Sequence, residues 1–138
     1  TIYVSATLSQ SAISLGNLSA AAVASGSETI TVSTNSPTGY ATTIIEDGNL
    51  RSGADDINDV ADSSVTAGSE EYGVITSGVA GQMNSTDTAI TGVAQNVAAS
   101  STPVLSEQTT LAYKAAVSSA TVYGYYSHQV TFTTTANY

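Results

Sequence analysis

Apolar and polar residues alternate along much of the chain, which is the pattern of β-strands that are buried on one face. Residues 1–9 place four apolar side chains on one face and Tyr, Ser and Thr on the other; the apolar four are Ile2, Val4, Ala6 and Leu8. The same alternation predicts strands over residues 28–34, 40–46, 72–76 and 109–118, with a shorter strand near residues 89–93. Residues 125–138 show it most clearly, because their even positions share one face and three Thr residues line the other.

Six to eight short strands separated by turn signals, with no long amphipathic helix pattern, predict an all-β fold. We expect an antiparallel β-sandwich of Ig-like or jelly-roll-like type. A strand over residues 1–9 would precede a single sandwich domain over residues 10–138, which carries an acidic insertion around residues 47–71. A sandwich has exposed edges, and proteins usually protect these with Lys, Pro or inward-pointing charges. Because the chain has one Lys and two Pro, we expect another copy to cover the edges.

The charge balance excludes several classes of partner. The chain of 138 residues contains 11 Asp and Glu but only 2 Lys and Arg, which gives a formal net charge of -9. Nucleic acid and anionic lipid both require a basic surface, so neither is an expected partner. No apolar run approaches the roughly 20 residues that span a bilayer, so we expect no membrane span. The chain starts with Thr1 rather than Met, so it is either processed or trimmed. Removal of a secretory signal peptide is the ordinary route to such a start, and we therefore expect an extracellular, cell-surface location.

Four stretches resemble secreted prokaryotic β-sandwich surface proteins. They are I-S-L-G-N-L-S (13–19), T-I-T-V-S-T-N-S-P-T-G-Y (29–40), T-L-A-Y-K-A-A-V (110–117) and Y-S-H-Q-V-T-F-T-T-T-A-N-Y (126–138). This broad group includes TasA-type and camelysin-like subunits of biofilm matrix fibres and archaeal bundling pilins. The resemblance implies a structural protein that forms a helical homopolymer, such as a filament or pilus.

Donor-strand exchange is the assembly mechanism that this resemblance implies, with residues 1–9 as the donor strand. Ile2, Val4, Ala6 and Leu8 would then fill a groove in a neighbouring copy. Nine extended residues at about 3.3 Å each reach roughly 30 Å, which is enough to cross a sandwich of this size. The alternative is that residues 1–9 form the first strand of their own domain, and the sequence leaves both open.

The chain offers little material for catalysis, because it has one His, one Lys, one Arg and no Cys. A set of nucleophile, base and orienting group needs several such residues. His128 falls on the predicted inward face of the last strand, where a packed or interface imidazole fits better than a general base. We therefore predict no enzyme activity, no catalytic residues and no cofactor other than calcium.

Calcium is the one metal that the sequence suggests. Asp55, Asp56, Asp59 and Asp62 form the densest acidic cluster and supply oxygen ligands for a hard cation. Their spacing is not that of an EF-hand, and a solvated acidic surface explains the cluster equally well. The second hypothesis for function is accordingly a monomeric adhesin-type module that binds calcium or, through its tyrosines, surface glycans.

Three residues are candidates for covalent modification. Asn17 and Asn84 begin N-x-Ser/Thr sequences, which are acceptors for N-glycosylation. Lys114 is a candidate for an intramolecular isopeptide bond with Asn137 or another Asn.

Overall fold

The computed structural model describes all 138 residues and contains nine β-strands and no helix, so none is available to span a membrane. The strands are β1 (Val4–Leu8), β2 (Ala24–Thr34), β3 (Tyr40–Glu46), β4 (Arg51–Ser52), β5 (Asp55–Asp56), β6 (Glu71–Ser77), β7 (Gln95–Ser100), β8 (Val104–Ala116) and β9 (Val130–Ala136). The predicted all-β fold is therefore confirmed.

Two antiparallel sheets pack together as a sandwich. The larger sheet has the order β1-β2-β8-β6, and the smaller has the order β7-β3-β9. Their inner faces share one core, to which β2 contributes Ile30 and Val32, β8 contributes Leu111, and β3 contributes Tyr40 and Ile44. The large sheet thus has one strand more than the small sheet that covers it.

Strand β7 lies where the sequence did not place it. The strand predicted near residues 89–93 is wrong, because Gly92 interrupts that stretch and the Gln95 side chain binds backbone groups of Ala89 and Thr91. The pairing of β7 with β3 contains a bulge at Val97, so that both Val97 and Ala98 are buried. A bulge breaks the two-residue period on which the prediction relied.

β1 begins at residue 4 rather than 1 and β2 at residue 24 rather than 28. The starts of β8 and β9 also differ from the prediction, for reasons that the structure shows. β8 begins at residue 104 rather than 109, and its first residues contain an irregularity at Ser106, which has a positive φ of 54°. β9 begins at residue 130 rather than 125, because Ser127 exchanges two backbone hydrogen bonds with Arg51 of the β4–β5 hairpin.

The acidic insertion over residues 47–71 is only partly solvated. It contains β4 and β5, and it buries four apolar side chains: Leu50, Ile57, Val60 and Val65. Ile57 and Leu50 join the main core, while Val60 and Val65 pack on Ala116, on the opposite face of β8. The insertion therefore forms a layer beside β6 that closes that side of the sandwich.

Candidate assembly face

Two of the four outer strands are capped by other parts of the same chain. On β6, the N–H groups of Tyr72, Val74 and Thr76 donate to carbonyl oxygens of residues 58, 88 and 83 at 2.9 to 3.0 Å. On β7, Ala99 donates to the carbonyl oxygen of Ala80 at 3.0 Å and the Val97 carbonyl accepts from residue 82 at 2.9 Å. These edges therefore have few backbone groups free to bind another chain.

The other two outer strands, β1 and β9, have no strand on their outer side. They contact each other, so both free edges lie on the same side of the sandwich. The sequence of β9 is V-T-F-T-T-T-A, which contains neither a charge nor a proline. An uncharged, β-branched edge of this kind is the type that pairs readily with a further strand.

The register of β9 shows which of its backbone groups are free. Asn137 donates to the Gly39 carbonyl and Asp47 donates to the Gln129 carbonyl, both across the β3–β9 pair. Hydrogen-bonded pairs alternate along antiparallel strands, so the odd residues of β9 bond to β3. The N–H and C=O groups that point away from β3 belong to the even residues Val130, Phe132, Thr134 and Ala136.

A groove of about 1180 Å³ opens beside the first three residues of β9, Val130–Phe132. One wall is formed by residues 11–20 and the other by residues 117–132, with Leu50, Tyr72 and Tyr113 on its floor. Its aliphatic and aromatic lining residues include Leu8, Ile13, Leu15, Val117, Val130 and Phe132. The interior of the sandwich is thus accessible from this side.

The groove is almost free of charge although the chain is strongly acidic. Every Asp, Glu, Lys and Arg residue lies between Glu28 and Lys114, so both walls of the groove come from uncharged segments. Glu28 is the one ionisable carboxyl that lines it, and this side chain is buried and accepts a 2.6 Å hydrogen bond from Tyr113 Oη. The resulting surface, which is largely uncharged and which we call the assembly face, consists of the outer edges of β1 and β9 and the groove between them.

The predicted assembly residues lie on this face, in β1 or directly before it. β1 pairs with β2 of the same chain, with Val4 opposite Thr34 and Leu8 opposite Ile30. Ile2 and Val4 are half-buried, whereas Ala6 is exposed and Leu8 retains 43% of its accessible surface. In a single copy, then, residues 4–8 belong to their own sheet, and half of their apolar face is left uncovered.

The segment that follows β1 is exposed up to the point where it enters the core. Residues 9–12 are all exposed, and Ser9 and Gln10 bond to β2 through Thr29 and Ser27. Ile13 and Leu15 then pack against the main core. A Cβ on Gly26 of β2 would lie 2.6 Å from Ile13 Cγ2, so the small residue at this position is what lets the segment lie flat on β2.

A buried polar network underlies the start of β9. His128 Nε2 lies 2.9 Å from Tyr72 Oη, and His128 Nδ1 lies 3.0 Å from the Gly48 carbonyl and 3.3 Å from Glu46 Oε2. Both neighbours of Nδ1 are acceptors, so we assign a proton to that atom. This confirms the prediction that the His128 side chain faces inward.

The network contains the carboxyl group of Glu46, whose ionised form is disfavoured by burial. Glu46 Oε2 is buried and no donor is aligned with it. Desolvation raises the pKa of Glu46 to about 7. The negative charges of Asp59 and Asp47 raise this pKa further, and the positive charge of Arg51 lowers it. Burial also raises the pKa of Tyr72 well above its usual value, which keeps this phenol protonated and a poor nucleophile. The arrangement fixes the position of the strand that borders the groove.

The four acidic candidates for calcium are not gathered into one site. Asp55 and Asp56 are exposed on β5, and Asp56 accepts a 2.8 Å hydrogen bond from Asn49. Asp62 accepts from the backbone of the following turn, and Asp59 is half-buried, which raises its pKa. No three acidic or imidazole side chains are grouped as metal ligands.

The modification candidates differ in their surroundings. Asn17 is exposed on the wall of the groove, whereas the Asn84 amide is held between Thr76 Oγ1 at 2.7 Å and the Gly78 carbonyl at 2.9 Å. Lys114 Nζ lies 3.0 Å from Asp87 Oδ1, and the Asn137 amide donates elsewhere, so the structure pairs Lys114 with a carboxylate and not with Asn137.

Sequence reasoning missed the β9 edge and the groove, although one signal for them was available. The first 27 and the last 24 residues lack Asp, Glu, Lys and Arg altogether, and these two segments build the assembly face. Comparison of the chain with protein-family models, curated proteins and solved structures found no match.

Proposed function

We propose that this protein is the structural subunit of an extracellular filament, pilus or matrix fibre, and that copies assemble by exchanging β1. The observation that carries the proposal is the assembly face. Its two free edges and uncharged groove lie on one side of the sandwich, and the other two edges are capped. A chain of net charge -9 repels its copies wherever charges approach, so close contact is favoured through the uncharged side.

The weak attachment of β1 supports exchange as the mechanism. Residues 5–8 are exposed, so β1 is held mainly by its ladder to β2, in which each hydrogen bond contributes about 1 kcal/mol. A copy that received this strand at a free edge beside the groove would provide a similar ladder of hydrogen bonds and would also cover Ala6 and Leu8. Exchange therefore replaces a poorly covered strand by a better covered one.

The length of the exposed connection supports it as well. If Ile13 stays anchored in the core, the 12 residues before it extend to about 40 Å at 3.3 Å per residue. This reach allows β1 to leave its own sheet and to lie on a neighbouring copy, while the rest of the sandwich stays intact.

A reversible lock tests the exchange. Thr7 lies opposite Thr31 on the outer face of the β1–β2 pair, and the chain has no other cysteine to interfere. The double variant Thr7→Cys/Thr31→Cys, oxidised as a monomer, should tie β1 to its own sheet. We expect sedimentation and negative-stain microscopy to show monomers after oxidation and filaments after reduction.

The single variants Thr7→Cys and Thr31→Cys are the matched controls and should assemble like the wild type in both conditions. Equal filament formation by the oxidised and the reduced double variant would rule out exchange of β1. A wild-type chain that sediments as a monomer at every concentration would rule out the filament itself.

A glycan-binding adhesin module is the second candidate, because two tyrosines are fully exposed. Tyr123 and Tyr125 retain 101% and 99% of their accessible surface in the loop before β9. Aromatic rings so placed are able to stack on sugar rings. Loss of binding to a glycan array in Tyr123→Ala and Tyr125→Ala, together with monomeric sedimentation, would favour this function over the first.

A further inference from the structure

The two sheets of the sandwich are unequal, and the smaller one has a free edge at β9. The large sheet has four strands and the small one three, and β9 is the edge of the small sheet that no other part of the chain caps. The groove occupies this side of the molecule, with Val130 and Phe132 of β9 on its wall. One added strand beside β9 would give two sheets of four and would fill the opening.

The free groups of β9 suit such a strand. Val130, Phe132, Thr134 and Ala136 direct their N–H and C=O groups away from β3, and these groups offer one side of a new ladder about seven residues long. The odd residues Thr131, Thr133 and Thr135 are exposed on the outer face of the sandwich. The added strand must therefore be apolar on the inner face and polar on the outer face.

We propose that β9 is the acceptor strand: the first strand of a second copy adds to the free edge of β9 and completes the smaller sheet. This inference rests on the proposed function, and it specifies which edge receives the exchanged strand. Ile2, Val4, Ala6 and Leu8 of the incoming copy face into the groove. Tyr3, Ser5 and Thr7 of that copy continue the polar outer face of β9.

Charge identifies a second copy of this chain as the occupant. Residues 1–27 contain no ionisable side chain other than Tyr3. The groove lining contains none other than tyrosines, the buried His128 and the buried Glu28, which already accepts a hydrogen bond from Tyr113. Insertion of this segment therefore buries no unpaired charge, which would cost several kcal/mol. Every strand other than β1 and β9 has a charged residue, has a capped edge or lies in the middle of its sheet.

Exchange onto β9 differs from a simple swap, in which the incoming strand would take the place of the resident β1 on β2. A swap repeats the contacts of the single copy and leaves the groove open. Addition to β9 closes the groove and frees the edge of β2. The two arrangements place the incoming Thr7 beside different residues, namely a Thr of β9 or Thr31 of β2.

Disulfide trapping between single-cysteine copies distinguishes them. Copies with Thr7→Cys are mixed, under assembling conditions, with copies that carry Thr131→Cys, Thr133→Cys, Thr135→Cys or Thr31→Cys. Ser101→Cys, on the exposed turn before β8, measures random collision. After mild oxidation, heterodimers are quantified on non-reducing gels, and peptide mass spectrometry identifies the linked positions.

We expect at least one of the three β9 positions to give a heterodimer yield tenfold or more above that of Thr31→Cys and Ser101→Cys. A dominant link to position 31 would overturn the assignment of β9 and leave assembly by strand exchange in place. Yields no higher than that of Ser101→Cys at all four positions would overturn both the assignment of β9 and assembly by strand exchange. Filaments seen by microscopy of the same samples would then have to form through another contact.

Discussion

Replacing Glu46 with Gln should change how the stability of the protein depends on pH. The native pKa of Glu46 is about 7, above the ordinary value of 4.5, because its carboxyl group is desolvated and lies near Asp59 and Asp47. A native group with a raised pKa binds its proton more tightly than the unfolded chain does, so ionisation of Glu46 lowers the free energy of unfolding. This loss is absent below about pH 4.5, develops between 4.5 and 7, and is complete above 7.

The size of the effect follows from the same two values. One pKa unit corresponds to about 1.4 kcal/mol, so the interval from 4.5 to about 7 corresponds to about 3 kcal/mol. Gln keeps the shape of the side chain but does not ionise. The stability of Glu46→Gln relative to the wild type should therefore rise by about 2–3 kcal/mol between pH 5 and pH 8, in favour of the variant, because a small part of the loss is already present at pH 5.

Urea unfolding followed by circular dichroism at pH 5, 6, 7 and 8 measures this difference, at a concentration where sedimentation gives a monomer. Asp62→Asn is the control, because Asp62 is exposed and contacts only the adjacent turn; its difference from the wild type should stay within about 0.5 kcal/mol. Parallel pH profiles for the wild type and Glu46→Gln would show that ionisation of Glu46 is not costly in the fold, and would refute the reasoning.

Two further substitutions test the edge of β9 and the floor of the groove. Val130→Pro removes an N–H that points away from β3 at the first residue of the strand, where Pro is tolerated, so it should reduce assembly with little effect on monomer stability. The control Thr131→Pro removes an N–H that bonds to β3, so it should lower the free energy of unfolding of the monomer. An equal loss of monomer stability in both variants would contradict the assignment. Tyr113→Phe leaves the buried Glu28 without its 2.6 Å hydrogen bond, so it should destabilise the monomer by about 1–3 kcal/mol in urea unfolding, and an unchanged midpoint would show that Glu28 finds another donor.

The sequence predicted the fold class and several strands because these depend on local alternation. β3 was predicted over residues 40–46, where the structure has it, since inward and outward residues alternate there without interruption. β7 was missed because its bulge buries two consecutive residues, Val97 and Ala98. Local patterning therefore identifies regular strands and fails where the ladder is irregular.

The candidate site depends on pairings between distant segments, which no local pattern contains. The β3–β9 register sets Glu46 opposite Val130, and this brings His128 beside Gly48 and Tyr72 although 56 residues separate His128 from Tyr72. In the same way, the alternation of residues 1–9 predicts a strand but does not say which edge receives it. The free edges become visible only when the order of the strands in each sheet is known.

The position of the charges along the chain connects the fold to the proposed assembly. All ionised side chains lie in the part of the sequence between Glu28 and Lys114, which includes the layer that caps β6 and the β4–β5 hairpin. Copies that approach through these acidic surfaces repel each other, and this repulsion acts against side-by-side aggregation of a β-rich chain. The two uncharged segments meet on the assembly face, so attraction is favoured on the one side where two strand edges are free. The same distribution of charge thereby opposes contact between copies elsewhere and favours contact through the assembly face, as the proposed assembly requires.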